Sequence, residues 1–197
     1  MLLSSIKAPV TRIITPLCRG LLRAGITPNW VSAVGGIGSS LCAALFYGSS
    51  HFFAGTLAVT FFVLFDLFDG AMARLAGTSS RWGAVLDSTL DRIADASIFG
   101  AMAYWFAKSH DRNLPILLGI LLSSFMISYI KARAEALDIE CTGGVAERSE
   151  RLIIILVIAG LHGLGVPYIF TVGIWALLVL CLITVLQRLL IVYKGSK

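Results

Sequence analysis

Charge is scarce in this sequence. Asp, Glu, Lys and Arg make up 14 % of its 197 residues, against about 25 % in a soluble domain, which excludes a water-soluble globular fold. Cysteine is sparse as well. Cys18, Cys42, Cys141 and Cys181 show no C-x-x-C spacing, so neither a disulfide framework nor a zinc site is indicated. Cys18, Cys42 and Cys181 fall in apolar or amphipathic helix and read as small hydrophobes. Histidine occurs only at His51, His110 and His162, each in a predicted loop and far from the others, which leaves any metal to oxygen ligands. No cleavable signal peptide is evident, because "LLSSIKAPVTRIITPLCRGLLRAG" carries charges throughout and has no continuous apolar core. There is no internal repeat and no low-complexity segment.

What the chain has in abundance is apolar length. It is 57 % hydrophobic, and runs of about 20 residues, enough for roughly 30 Å of hydrocarbon, recur along it. They predict an all-α integral membrane protein with six transmembrane helices, at 29–48, 52–76, 82–107, 114–137, 149–166 and 168–192. Residues 2–24 predict an amphipathic helix lying in the interface, with Arg12, Arg19 and Arg23 on one face and Pro9 and Pro16 as kinks. The expected domains are thus 1–24, interfacial, and 25–197, transmembrane.

The net charge of +5 points to a membrane surface and not to nucleic acid. With a cytoplasmic N-terminus, Lys7, Arg12, Arg19, Arg23, Arg74, Arg81, Arg92, Lys131, Arg133, Arg148, Arg151, Arg188, Lys194 and Lys197 fall inside, and only Lys108 and Arg112 fall outside. That asymmetry is a strong positive-inside signal and requires an even number of crossings.

The same count places the chemistry. The stretch "FDLFDGAMARLAGTSSRWGAVLDSTLDR" sets Asp66 and Asp69 late in the second helix, and Asp87 and Asp91 early in the third. Spacings of three and four put each pair on one helix face. Four carboxylates converging near one leaflet would repel one another unless cations neutralise them. Two divalent ions do so, and an all-oxygen donor set favours Mg²⁺ or Mn²⁺. Such a pair suits a pyrophosphate substrate. Gly70 and Gly83 would let a bulky phosphate-bearing ligand approach the backbone, and Arg74 could meet a phosphate as a planar fork. Close helix packing is the competing reading of both glycines, and a topological anchor that of Arg74.

The pattern Asp66-x2-Asp69-Gly70-x2-Ala73-Arg74-x8-Gly83-x3-Asp87-x3-Asp91 resembles, without departure, the signature of the CDP-alcohol phosphotransferases. Six helices and an interfacial N-terminal helix resemble that family too. The resemblance implies a homodimer that transfers a phosphatidyl group from CDP-diacylglycerol (CDP-DAG) to an acceptor hydroxyl and releases CMP. It further implies that Asp66, Asp69, Asp87 and Asp91 ligate two divalent cations, with Asp91 also the proton acceptor. Gly70, Ala73, Arg74, Ser80 and Gly83, with the run Asn29-Trp30-Val31-Ser32, would bind CDP-DAG. As a helix start, "TPNW" needs no substrate, and that alternative stays open. Asp95, a turn beyond Asp91, lies outside the signature and is expected to partner Arg92 or a neighbouring helix.

Lys131, Arg133, Arg148 and Arg151 gather in "ISYIKARAEALDIECTGGVAERSERLIIIL", and Arg188 ends the sixth apolar run. Cations beside a metal-held pyrophosphate suggest an anionic acceptor. The segments "SYIKARAEA", "ERSERLI" and "QR" resemble one branch of the family, the bacterial phosphatidylinositol phosphate synthases. That likeness implies an inositol phosphate acceptor whose phosphate is held by Lys131, Arg151 and Arg188, in a plasma-membrane enzyme working at the cytoplasmic face. Phosphatidylglycerophosphate synthase, with glycerol 3-phosphate as acceptor, is the near competitor. A cation or proton transporter is the remote one, since the acids sit toward one face and no halves mirror each other.

Overall fold

The computed structural model describes residues 14–77 and 80–196, and every regular element among them is helical. The segment 14–23 is helix α1; Lys7, Pro9, Arg12 and Lys197 lie outside the described residues. The order continues α2 (Pro28–Cys42), a π-helical turn (Ala43–Tyr47), α3 (Phe52–Val63), α4 (Phe65–Ala76), α5 (Arg81–Lys108), α6 (Leu114–Glu135), α7 (Arg148–Gly163) and α8 (Ile169–Gly195).

Local chemistry sets the helix ends that matter for the site. Thr27 caps α2 through its Oγ1, which accepts from the Trp30 amide at 3.4 Å, and Pro28 fills the first helical position, where no N–H is needed. Gly77, at φ 60°, closes α4 in the left-handed conformation and returns its amide to the Ala73 carbonyl. Ser80 caps α5, accepting from the Gly83 amide at 2.9 Å. The expected helix over 52–76 breaks at Leu64, where the Leu67 amide bonds the Leu64 carbonyl three residues back.

Among the described residues, four helical stretches are long and apolar enough to cross a membrane: Pro28–Tyr47, Phe52–Ala76, Leu114–Glu135 and Ile169–Gly195. Of the other two expected spans, α5 is long enough, but Asp87, Asp91 and Arg92 crowd its first half and Asp95 opens the second. α7 has only 16 residues, about 24 Å at 1.5 Å per residue. Large apolar side chains face outward along the helices, among them Leu57, Leu122, Val179 and Leu186, as expected of a surface covered by lipid rather than water. This is a multi-pass membrane protein.

The chain divides into two compact units, to each of which α3 and α5 both contribute. One gathers the chain up to Leu41 with Ala58–Ala94; the other joins Cys42–Leu57 to the chain from Asp95 onward. In the first, Cys18, Val31, Ala71 and Met72 form a core under Leu21, Phe65 and Phe68. Its α2 packs through small residues: a methyl at Gly35 would stand 2.8 Å from the Phe65 Cβ, and one at Gly36 would stand 3.0 Å from that of Leu90.

The second unit packs α8 on α6 and α7 around Ile98, Phe99, Leu117, Ile155, Ile174 and Leu177. One end of this unit is a cluster of rings. Phe52 meets Trp105 at 5.0 Å, His162 at 4.8 Å and Phe170 at 5.7 Å between centroids. His162, expected in a loop, is a ring in the last turn of α7, which ends at Gly163, short of the expected 166.

Candidate active site

Three helix segments of the first unit bound a cavity of about 200 Å³. The start of α2 supplies Pro28, Asn29 and Ser32, the middle of α4 supplies Asp69, Gly70 and Ala73, and the first turns of α5 supply Gly83, Ala84 and Asp87 beside the cap Ser80. Asp69 is buried, at 7 % exposure, and the Ser32 hydroxyl donates to its carboxylate. That bond fixes the orientation of an acid that would otherwise be costly to bury. Asp66 and Asp87 both lie within electrostatic reach of Asp69. Asp91, one turn past Asp87, faces Arg92, whose Nη1 stands 3.4 Å from its Oδ2 and donates to the Ser88 carbonyl at 2.9 Å.

The glycines decide between packing and ligand approach. A methyl on Gly70 would meet only the Arg74 guanidinium, at 3.5 Å. Nothing in the fold needs Gly70 small, and the open space belongs to the cavity. A methyl on Gly83 would press on Ser80 Oγ at 3.0 Å and Asn29 Oδ1 at 3.2 Å, two polar atoms at the rim. The donors are hard oxygens, the floor holds a buried carboxylate, and a Cβ at Gly70 would intrude on the space. These features fit divalent cations and a phosphate group. Among the described residues, no three His, Cys, Asp or Glu side chains are themselves drawn into one ligating group.

The expected acceptor cations all lie in the second unit. Lys131 is half exposed, with Glu135 3.8 Å away on the same helix, and Arg133 is exposed. Arg151 and Arg188 are buried at 1 % and 5 % exposure. Arg151 donates to the Ala146 carbonyl at 2.9 Å. Arg188 donates to the Gly143 carbonyl at 3.1 Å and the Ile127 carbonyl at 2.7 Å, with Glu147 3.7 Å away. Both arginines therefore grip the segment between α6 and α7. Thr184 joins them, its Oγ1 accepting from the Ala146 amide at 2.9 Å.

Residues 25–186 match the CDP-alcohol phosphatidyltransferase family. This chain belongs to that family. Within the CDP-alcohol phosphatidyltransferases it is 43 % identical over 199 residues to the phosphatidylinositol phosphate synthase of Streptomyces avermitilis, covering 96 % of this chain and 82 % of that enzyme. It superposes on the crystal structure of the Mycobacterium tuberculosis phosphatidylinositol phosphate synthase with CDP-DAG bound. The TM-score is 0.89 at 46 % identity, over 93 % of this chain and 95 % of that one. The same enzyme in complex with manganese and citrate gives a TM-score of 0.86 at 45 % identity, over 92 % and 89 %.

For this CDP-alcohol phosphatidyltransferase, the structure gathers Asn29, Ser32, Gly70, Ala73, Ser80 and Gly83 of the expected CDP-DAG residues around one cavity with Asp69 and Asp87. Arg74 stands at its edge, beside Gly70. Trp30 and Val31 turn away and line a separate apolar groove with Leu17, Leu21, Phe65 and Phe68. Sequence reasoning missed Pro28 and Ala84. The helical spacing 80, 83, 84, 87 carried the signal for Ala84. Nothing in the sequence announced the Ser32–Asp69 bond, which joins residues 37 apart.

Proposed function

We propose that this chain transfers the phosphatidyl group of CDP-DAG to a hydroxyl of inositol 3-phosphate and releases CMP. The observation that carries this reading is its 46 % identity, over nearly the full length of both chains, to a phosphatidylinositol phosphate synthase crystallised with CDP-DAG.

In this reading Asp66, Asp69, Asp87 and Asp91 hold two divalent cations, Mg²⁺ or Mn²⁺; the manganese-bound relative supports the choice. Bound there, the cations neutralise the pyrophosphate and stabilise charge on the departing CMP. The rest falls to the chain. Asn29, Ser32, Ser80 and Arg74 meet the CDP head, while Gly70, Ala73 and Gly83 give it room. Trp30 and Val31 flank it on the apolar side. Lys131, Arg151 and Arg188, with Arg133 and Arg148 nearby in sequence, receive the acceptor's phosphate. Asp91 takes the proton from the attacking hydroxyl. The hydroxyl oxygen bonds the phosphorus that bears diacylglycerol, and the bond from that phosphorus to CMP breaks. Placement and charge supply the acceleration, as in phosphoryl transfer generally.

The enzyme lies in the bacterial plasma membrane as a homodimer. Its N-terminal residues 1–24 lie in the interface, residues 25–197 cross six times, and the site opens to the cytoplasm. The four apolar stretches and the cation asymmetry support this arrangement.

The test offers purified protein CDP-DAG and Mg²⁺ with one acceptor at a time: inositol 3-phosphate, inositol, glycerol 3-phosphate or serine. CMP release is expected with inositol 3-phosphate, to cease with EDTA, to return with Mn²⁺, and to vanish in Asp91→Asn with CDP-DAG binding retained. Turnover with glycerol 3-phosphate alone would make the protein a phosphatidylglycerophosphate synthase and overturn the acceptor assignment.

A further inference from the structure

Among the described residues two aspartates are buried, Asp69 at 7 % and Asp95 at 3 % exposure, and they are held differently. Asp95 lies against cations: Arg148 Nε is 3.4 Å from its Oδ1 and Arg151 Nη2 is 3.6 Å from its Oδ2. The Ser124 hydroxyl also donates to Oδ2, at 3.2 Å. Asp69 makes no ion pair among the described residues. Its charged neighbours Asp66 and Asp87 are of like sign, and its side-chain hydrogen bond comes from the Ser32 hydroxyl.

Ser32 behaves unlike the other two serines of α2. Ser39 and Ser40 donate to the Gly36 carbonyl, at 3.0 and 2.7 Å, the usual course for a serine inside an apolar helix. Ser32 has the same option, with the Pro28 carbonyl 3.3 Å away. A hydroxyl has one proton to give, and an ionised acceptor makes the stronger bond, so that proton goes to Asp69. The bond ties α2 to α4 at a carboxylate that lines the cavity. Toward the CDP head, the committed hydroxyl can then act only as an acceptor. A carboxylate buried beside two others gains its missing counter-charge only when a cation enters that cavity.

We propose that Ser32 is a positioning residue for the divalent cations. It aims the Asp69 carboxylate, and its effect on CDP-DAG passes through the metal that Asp69 holds. The inference rests on the reading of Asp69 as a metal ligand, and it adds the α2 residue that readies this ligand before substrate arrives.

The test titrates Mn²⁺ into metal-free protein in detergent, without CDP-DAG, and follows the free ion by electron paramagnetic resonance. Wild type, Ser32→Ala, Ser32→Thr and Asn29→Ala are compared. Ser32→Ala is expected to weaken Mn²⁺ binding about tenfold or more, the scale on which ligand-orienting partners act. Ser32→Thr keeps the hydroxyl and most of the affinity. Asn29→Ala, altered on the same wall of the cavity, binds Mn²⁺ like wild type and loses affinity for CDP-DAG alone. In turnover assays, saturating Mn²⁺ restores Ser32→Ala and leaves Asn29→Ala impaired. Wild-type Mn²⁺ affinity in Ser32→Ala overturns the role, as does a turnover defect there that saturating Mn²⁺ leaves untouched. A loss of Mn²⁺ affinity as large in Asn29→Ala or Ser32→Thr does so too, since it would trace the effect to a disturbed α2. Should Ser32→Ala fail to fold, Ser32→Cys, whose thiol is a weak donor, decides by the same criterion. A wild type that binds no Mn²⁺ removes the metal reading itself, a result distinct from wild type and variant binding equally.

Discussion

Single residues separate substrate approach from packing. Gly70 and Gly163 are both helical glycines, yet a methyl on Gly70 has only the Arg74 guanidinium within reach, at 3.5 Å, whereas one on Gly163 would lie 2.2 Å from the Phe53 backbone nitrogen. Gly70→Ala is therefore expected to fold with an unchanged or slightly raised Tm, since alanine is the better helix former. Its kcat/KM for CDP-DAG should fall by about tenfold or more, because small displacements at a reacting group are expensive. Gly163→Ala should behave in the opposite way. Overpacking there costs about 1–3 kcal/mol, lowering Tm while leaving the KM values alone. Thermal denaturation in detergent beside steady-state kinetics checks both.

The sequence marks Gly70, which directly follows a carboxylate in a spaced acidic pattern. It says nothing of Gly163, whose constraint comes from Phe53, 110 positions away. Asp95 falls between these cases. A turn of helix makes Arg92 its natural neighbour, but a buried carboxylate is better stabilised by the two α7 arginines and the Ser124 hydroxyl, which no local spacing reveals. The cavity residues on α4 and α5 were readable because a periodic helix translates spacing directly into a shared face. Bonds such as Ser32 to Asp69 depend on how separate helices meet, and that is not written in either one.

At the scale of elements, helix limits were legible wherever a cap or an apolar edge marks them. The expected 114–137 and 168–192 became Leu114–Glu135 and Ile169–Gly195, and 82–107 became Arg81–Lys108 behind its Ser80 cap. The break at Leu64 and the π-helical turn at Ala43–Tyr47 were not legible, since neither carries proline or a change of apolar period. The segment between α6 and α7 is held by side chains of α7 and α8. Thr184→Val retains the shape but takes away the acceptor for the buried Ala146 amide, a loss of about 1–3 kcal/mol. A lower Tm is expected, together with faster limited proteolysis between α6 and α7. Cleavage no faster than in wild type would mean that Arg151, through Ala146, and Arg188, through Gly143 and Glu147, hold the segment without it.

For the whole molecule, the scarcity of charge and the recurring apolar runs settled the class before any site was considered, and membership of the CDP-alcohol phosphatidyltransferases agrees with it. Which runs cross was harder to read. A helix that carries the chemistry must carry charge, and α5 is consequently less apolar than the four spanning stretches among the described residues. The ring cluster around Phe52 gives the protein a built-in optical reporter. Of its four tryptophans, Trp30, Trp82 and Trp175 are 68 %, 67 % and 51 % exposed. Trp105 instead stacks edge-on against Phe52, Phe106 and His162. In bilayers of brominated phospholipid, emission from the first three should be quenched and that of Trp105 should survive. The residual fluorescence then follows one end of one unit alone, without any dye attached.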